Sequence, residues 1–227
     1  MNAAIVVAAG KGIRMGGTEP KQFLELRGVP IIVHTLRRFE QCETINQVVL
    51  VLPADALAGF QSLAKKFSLR KISKVVAGGA TRAQSVLSGL QAIDAAEVVA
   101  VHDGVRPFVT SAEIDRVVET ARTSGAAVLV APVTDTIKEV SEHSIAQTLP
   151  RVSLRRALTP QCFRYEILKL AYERLSEIEI EGTEVTDDSF LVERLGVKPI
   201  AVEGSGQNIK ITGPEDLALA EAILGQK

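Results

Sequence analysis

The sequence predicts an α/β chain built on a doubly wound, mostly parallel sheet. Short apolar runs alternate with amphipathic stretches along most of its length, the grammar of strand–helix units whose strands pair in parallel. Apolar residues make up 46% of the chain, and they are mostly Ala, Val, Leu and Ile, as suits a sheet covered by helices. The 227 residues fit one domain, below the roughly 250 at which single cores stop growing.

The strands are expected at 4–8, 47–52, 74–77, 98–101, 126–131 and 198–202. The clearest helix runs from Ala112 to Ser124, with Ile114, Val117, Val118 and Ala121 at helical spacing. Thr110 and Glu113 have capping-box spacing, and Gly125 suits the stop. In the final helix Thr212 stands three before Glu215, with Pro214 in the first turn. From Val133 to Pro160 the rhythm breaks. Thr136–Val140 alternates like a strand and Ile145–Leu149 could return beside it. A hairpin arm and a long loop both fit this segment.

The balance of 26 Lys and Arg against 27 Asp and Glu argues against nucleic acid or an acidic membrane as partner. With 4% aromatic residues and no Trp, a base-stacking platform is not expected either. Cys42 and Cys162 form no motif and read as buried thiols. The three histidines, His34, His102 and His143, have no paired spacing that suggests a metal site. The N-terminus lacks a basic region and reads as a strand rather than a signal peptide. No run approaches the ~18 apolar residues of a membrane span. A cytoplasmic protein is therefore expected.

Ligands of such sheets bind beyond the carboxyl ends of the strands. After the first strand comes Ala8-Ala9-Gly10-Lys11-Gly12-Ile13-Arg14-Met15, then Pro20-Lys21. Small residues let the backbone approach a phosphate, and Arg14 and Lys21 add two cations. Met15 stands where a dinucleotide fingerprint needs glycine, and no P-loop follows. A phosphate loop and a plain turn are the two readings. Asp103, in His102-Asp103-Gly104-Val105-Arg106-Pro107, could hold Mg²⁺ against a nucleotide or cap the Asp-Gly turn. Lys210, between Ile209 and Ile211, points away from both if the segment is extended.

Together these motifs resemble the 2-C-methyl-D-erythritol 4-phosphate cytidylyltransferase family. Its pattern is also met by Ala131-Pro132-Val133-Thr134-Asp135-Thr136, Leu158-Thr159-Pro160-Gln161, Glu184-Val185-Thr186-Asp187-Asp188 and Asn208-Ile209-Lys210-Ile211-Thr212. The resemblance spans nearly the whole chain. It implies a Rossmann-like nucleotidyltransferase fold, one domain over 1–227, with a β-hairpin dimerisation arm at about 133–160. It implies transfer of CMP from CTP to the polyol phosphate, with pyrophosphate released, for isoprenoid precursor synthesis by the non-mevalonate route.

By the same resemblance, Ala8, Ala9, Gly10 and Gly12 present backbone to CTP, and Gly79, Ala80 and Ser85 help hold its cytidine. Arg14 and Lys21 stabilise charge on the phosphates. Arg151 and Lys210 position the acceptor, and family spacing favours Arg151 over Arg155 or Arg156 for its phosphate. Asp103, Arg106, Thr136, Thr159 and Thr186 line the acceptor pocket. Mg²⁺ or another divalent cation bridges the CTP phosphates, with Asp103 as its nearest protein ligand. The partners are CTP, a polyol phosphate and a second copy in a homodimer. The alternatives are a cytidylyltransferase for another polyol phosphate, such as ribitol 5-phosphate, and a non-catalytic nucleotide-binding protein.

Overall fold

In the computed structural model, which describes residues 1–10, 20–182 and 185–225, the first apolar run forms β1 (Ala3–Val7). A short hairpin of β2 (Glu25–Leu26) and β3 (Val29–Pro30) leads into α1 (Ile31–Glu40). Strand–helix units follow: β4 (Gln47–Leu52), α2 (Leu57–Lys66), β5 (Ile72–Ala77), α3 (Arg82–Gln91), β6 (Val98–Asp103), α4 (Ser111–Ser124) and β7 (Ala126–Pro132). An outlying hairpin is made of β8 (Lys138–Ser141) and β9 (Ser144–Thr148). The chain returns through β10 (Arg155–Arg164), α5 (Tyr165–Glu173), α6 (Leu175–Ile180), α7 (Asp188–Glu193), β11 (Ile200–Glu203) and α8 (Pro214–Gly225).

Seven strands form one sheet in the order β11-β7-β10-β6-β1-β4-β5. All neighbours pair in parallel except β10, which runs antiparallel to both β6 and β7. The chain leaves β1 for β4 and β5 on one side, then crosses to β6 on the other. That reversal opens a crevice beyond the ends of β1 and β6, where Val7 pairs with Asp103.

Alternating residues of β1 enter two cores. Ala4 and Val6 join Ile32, Leu36, Phe39, Ile114 and Val118 on the α1–α4 face. Ala3 and Ile5 join Val86, Leu90, Leu168 and Leu191 on the α3–α7 face. A third, smaller cluster of Leu26, Ile31, Val105, Phe108, Ile211, Ala220 and Ile223 packs α8 against the β2–β3 hairpin. It anchors the segment that carries Lys210.

The expected strands, the α4 capping box and the Gly125 stop are all present. Two expectations need correction. First, the excursion after β7 ends sooner than Pro160, because from Arg155 the chain rejoins the central sheet as β10. The sequence hides this strand: Arg155 and Arg156 break the apolar run, and Pro160 falls in it. The register with β7 shifts between Ala157 and Gln161, and such irregularities are where strands accept proline. The sheet remains mostly parallel, as expected, with β10 its one antiparallel strand. Second, Glu215 does not cap α8. Asp216 Oδ2 accepts from the Thr212 amide at 2.7 Å, the Thr212 hydroxyl at 2.7 Å and the Gly213 amide at 2.9 Å.

Both cysteines are buried free thiols. Burial pushes Cys42 up to about 12 and Cys162 well above its ordinary value, so both stay protonated and unreactive. Among the described residues, no helix is long and apolar enough to cross a membrane.

Helix α3 lies close against the sheet because residue 89 has no side chain. A Cβ on Gly89 would stand 2.5 Å from Ile5 Cγ2 and 3.0 Å from Val51 Cγ2. Alanine normally stabilises a helix interior over glycine by roughly 0.5–1 kcal/mol. Here overpacking outweighs that gain, so Gly89→Ala is expected to destabilise by about 1–3 kcal/mol in urea unfolding. Unchanged or raised stability would show that α3 is free to move off the sheet.

Candidate active site

Loops leaving the carboxyl ends of β1, β5 and β6 converge on the crevice, tied by backbone bonds. The Ala8 amide donates to the Val51 carbonyl, Gly78 to Leu52 and Gly104 to Val7, all at 2.8–2.9 Å. Gln22, on a 3-10 turn over Lys21–Phe23, donates from its buried amide to the Ala8 carbonyl at 2.7 Å. Gly78 lets the β5 loop lie on the β1 loop, since a Cβ there would fall 2.3 Å from Ala9 Cβ. The Gly79 amide donates to Ser85 Oγ at 3.1 Å, folding this loop onto the start of α3.

The crevice has two lobes. The larger, about 530 Å³, is lined by Ala8, Ala9, Gly10, Lys21, Gly79, Ala80, Ser85 and their neighbours. The smaller, about 290 Å³, is lined by Arg106, Ala157, Thr159, Gln161, Thr186 and Asp187 among others. Arg82, Asp103 and Lys210 line both.

These shared residues form an ion cluster. Asp103 Oδ1 accepts from Arg82 Nε at 3.1 Å. Its Oδ2 meets Lys210 Nζ at 2.8 Å and Arg106 Nε at 3.4 Å. Burial opposes the Asp103 charge, yet Arg82, Lys210 and Arg106 outweigh it and hold the carboxyl far below the usual range. Arg82 also donates to Asp188 Oδ2 at 2.8 Å. Asp188 is fully buried and accepts from the Tyr172 hydroxyl on its other oxygen. Three cations thus share two carboxylates at the junction of the lobes. The surplus positive charge suits two anionic ligands meeting there.

Lys210 reaches the cluster because Ile209 and Ile211 pack into the third core on the opposite side. The segment is not a strand; the Ile211 amide holds it by donating to the Val105 carbonyl at 3.0 Å. Asp216, at the start of α8, is held below its usual range. Its burial opposes charge, but the Thr212 and Gly213 bonds prevail, and Lys21 adds a further electrostatic pull.

Of the residues the sequence singled out, Ala8, Ala9, Gly10, Lys21, Gly79, Ala80 and Ser85 share the larger lobe. Arg106, Thr159 and Thr186 share the smaller one. Gly12 and Arg14 lie outside the described residues. Thr136 and Arg151 line neither lobe. They belong to the excursion, where Arg151 donates to the Thr134 carbonyl at 2.8 Å. Arg155 pairs with Glu203, and Arg156 reaches the Gly206 carbonyl.

Asp103 is expected as a metal ligand; in this structure both its oxygens face cations instead. Among the described residues no group of three or more His, Cys, Asp or Glu could hold a metal ion.

Arg82 is the residue that sequence reasoning missed. It stands just beyond β5, at the same edge that marked Arg14 and Lys21, but it reads as the first residue of a Thr81-capped helix. Gln161 and Asp188 were legible only as members of motifs. The Gln161 side chain accepts from the Asp188 and Ser189 amides at 3.0 and 2.9 Å and donates to Asp187 at 2.7 Å.

The depressed Asp103 pKa has a consequence for stability. The unfolded chain takes up this proton near pH 4, at about the ordinary aspartate value, while the folded chain does not. The contribution is therefore present above that pH and is lost as pH falls toward the folded pKa. Asp103→Asn removes it, so melting temperature is expected to fall less between pH 5 and pH 3 in the variant than in the wild type. Parallel curves would mean that Asp103 carries no such charge stabilisation.

Comparison with known proteins agrees with this geometry. Residues 2–226 match the family described as 2-C-methyl-D-erythritol 4-phosphate cytidylyltransferase. The enzyme of that name from Bacillus velezensis is 46% identical over 221 residues, covering 97% of this chain and 94% of that one. Its counterpart from Syntrophus aciditrophicus is 45% identical over 224 residues, covering 97% and 94%. The crystal structure of the 4-diphosphocytidyl-2C-methyl-D-erythritol synthase of Anaerococcus prevotii superposes with a TM-score of 0.87 at 30% identity, covering 99% of this chain and 96% of that one. The Thermus thermophilus cytidylyltransferase gives 0.77 at 35% identity, covering 98% of each. With a nucleotidyltransferase sheet, a two-lobed crevice and this match over nearly its full length, the chain belongs to the 2-C-methyl-D-erythritol 4-phosphate cytidylyltransferase family.

Proposed function

We propose that the protein joins CTP to 2-C-methyl-D-erythritol 4-phosphate, giving the CDP-linked polyol and pyrophosphate, in isoprenoid precursor synthesis. The observation that carries this reading is the pair of lobes walled by the same three charged residues, Arg82, Asp103 and Lys210. Two ligands bound side by side would bring their phosphates together at that wall.

CTP takes the larger lobe, with its base and ribose against Ala8, Ala9, Gly10, Gly79, Ala80 and Ser85. The acceptor takes the smaller lobe, among Asp103, Arg106, Thr159 and Thr186. A phosphate oxygen of the acceptor attacks the α-phosphorus of CTP. A new P–O bond forms as the bond to the β-phosphate breaks, and pyrophosphate leaves. The second pKa of a phosphate monoester is about 6, so the nucleophile is already ionised near neutrality and no general base is required. The protein's task is to align two polyanions and offset the growing charge. Lys21, Arg82 and Lys210 stand where that charge develops, and Arg14 joins them by the family resemblance. A divalent cation bound with CTP would supply further neutralisation of the phosphate charge, with Asp103 the nearest carboxylate that could hold it.

The excursion after β7 would act in a homodimer. It exposes Val140, Ile145 and Val152, and Thr136 and Arg151 line neither of their own chain's lobes. In a dimer these two residues complete the partner's acceptor lobe, with Arg151 on the acceptor phosphate.

Pyrophosphate release is expected only when CTP, a divalent cation and methylerythritol phosphate are all present; absence of CDP-polyol under those conditions overturns the assignment. Ribitol 5-phosphate, assayed beside it, is expected to react far more slowly, and equal rates would replace the acceptor. Arg14→Ala, Lys21→Ala and Lys210→Ala should each lower kcat by roughly 10²–10³-fold with unchanged circular dichroism. Wild-type rates in these variants would remove them from the mechanism.

A further inference from the structure

His102 is fully buried and adjoins the acceptor lobe, yet the proposed reaction gives it no task. Its ring packs edge-on against Phe39, with centroids 5.1 Å apart. Both nitrogens are engaged. Nε2 lies 3.2 Å from the Arg106 carbonyl, and Nδ1 lies 3.0 Å from Thr159 Oγ1. A third bond meets the same hydroxyl, from the Asp103 amide to Thr159 Oγ1 at 3.2 Å.

These contacts leave one arrangement of protons. A carbonyl oxygen only accepts, so Nε2 must carry the hydrogen toward Arg106. The ring is fully buried, which disfavours its charged form, so with Nε2–H committed to the Arg106 carbonyl Nδ1 has only a lone pair to offer. The Thr159 hydroxyl proton must then point at Nδ1. Its oxygen accepts from the Asp103 amide with one lone pair and keeps the other. Thr159 lines the smaller lobe, and it can offer that lobe an acceptor but no donor.

We infer that Thr159 acts in the acceptor lobe only as a hydrogen-bond acceptor, its polarity fixed by His102, and so takes a polyol hydroxyl rather than a phosphate oxygen. A phosphate oxygen brings only lone pairs and would be repelled; a hydroxyl can donate. Thr159 becomes a specificity-determining residue, and His102 a positioning residue that acts through it. The inference rests on the proposed acceptor reading, and it divides the lobe's work. The cations take the phosphate, while Thr159 reads the alcohol end.

The test measures kcat/KM at saturating CTP with methylerythritol phosphate and with analogues in which each free hydroxyl is replaced in turn by hydrogen or by fluorine. Fluorine can accept weakly but cannot donate. In the wild type, one position is expected to lose up to about tenfold on replacement by hydrogen, the worth of one hydrogen bond, and fluorine should cost at least as much there. In Thr159→Val that penalty disappears, and in Thr159→Ser it returns. His102→Gln keeps a donor for the Arg106 carbonyl but removes the Nδ1 acceptor. It should reduce the same penalty and raise the acceptor KM while leaving the CTP KM unchanged. Equal hydroxyl penalties in wild type and Thr159→Val would overturn the inference, as would fluorine restoring the lost rate. A full penalty in His102→Gln would remove His102 as the polarity setter. Wild-type turnover of the parent acceptor keeps failure of this inference distinct from failure of the functional reading.

Discussion

A buried carboxylate carries a large desolvation cost unless cations and donors surround it, and Asp103 sits where four chain segments must agree to supply them. Arg82 comes from the start of α3, Arg106 from the loop after β6 and Lys210 from the approach to α8. Asp103 itself ends the strand beside β1. Each partner is fixed by different packing. Arg82 rides on a helix pressed against the sheet at Gly89. Lys210 is held by the small core that joins α8 to the β2–β3 hairpin. The cluster therefore couples the fold to the site: moving any of these elements would leave a charge unpaired in the interior.

The arrangement also sets what the crevice can do. Its walls are small residues and backbone in the larger lobe, and hydroxyl, amide and guanidinium groups in the smaller. The proposed chemistry needs no nucleophile–base pair of a covalent mechanism. A phosphate monoester is a competent nucleophile at neutral pH once its repulsion from a triphosphate is offset. Asp103 holds its cations in place, and Asp188 and Tyr172 extend that support beneath Arg82.

Much of the fold was legible because hydrophobic period and capping chemistry point the same way. The β1, β4 and β6 runs, the α4 capping box and its Gly125 stop are local signals. Strand β10 was not legible, because its side chains carry arginines and a proline that only the sheet's irregular register accommodates. The glycine loop, Lys21 and Asp103 stood out by the rule for strand ends. Arg82 did not, because Thr81 gives it an ordinary helix-start context, and its partners Asp103 and Asp188 are 21 and 106 residues away. The cations around Asp103 were hidden for the same reason: a carboxylate's neighbours in space are not revealed by spacing along the chain. Thr136 and Arg151 entered through family resemblance alone, since nothing in their local sequence marks a site.

The dependence of the site on shared pairing is measured most directly by a double-mutant cycle on kcat with Arg82→Gln and Asp103→Asn. If Asp103 serves the reaction by holding Arg82 at the junction, the double variant is no slower than the slower single variant, and the penalties are strongly non-additive. Penalties that simply add would contradict this, and would mean that the two residues act independently.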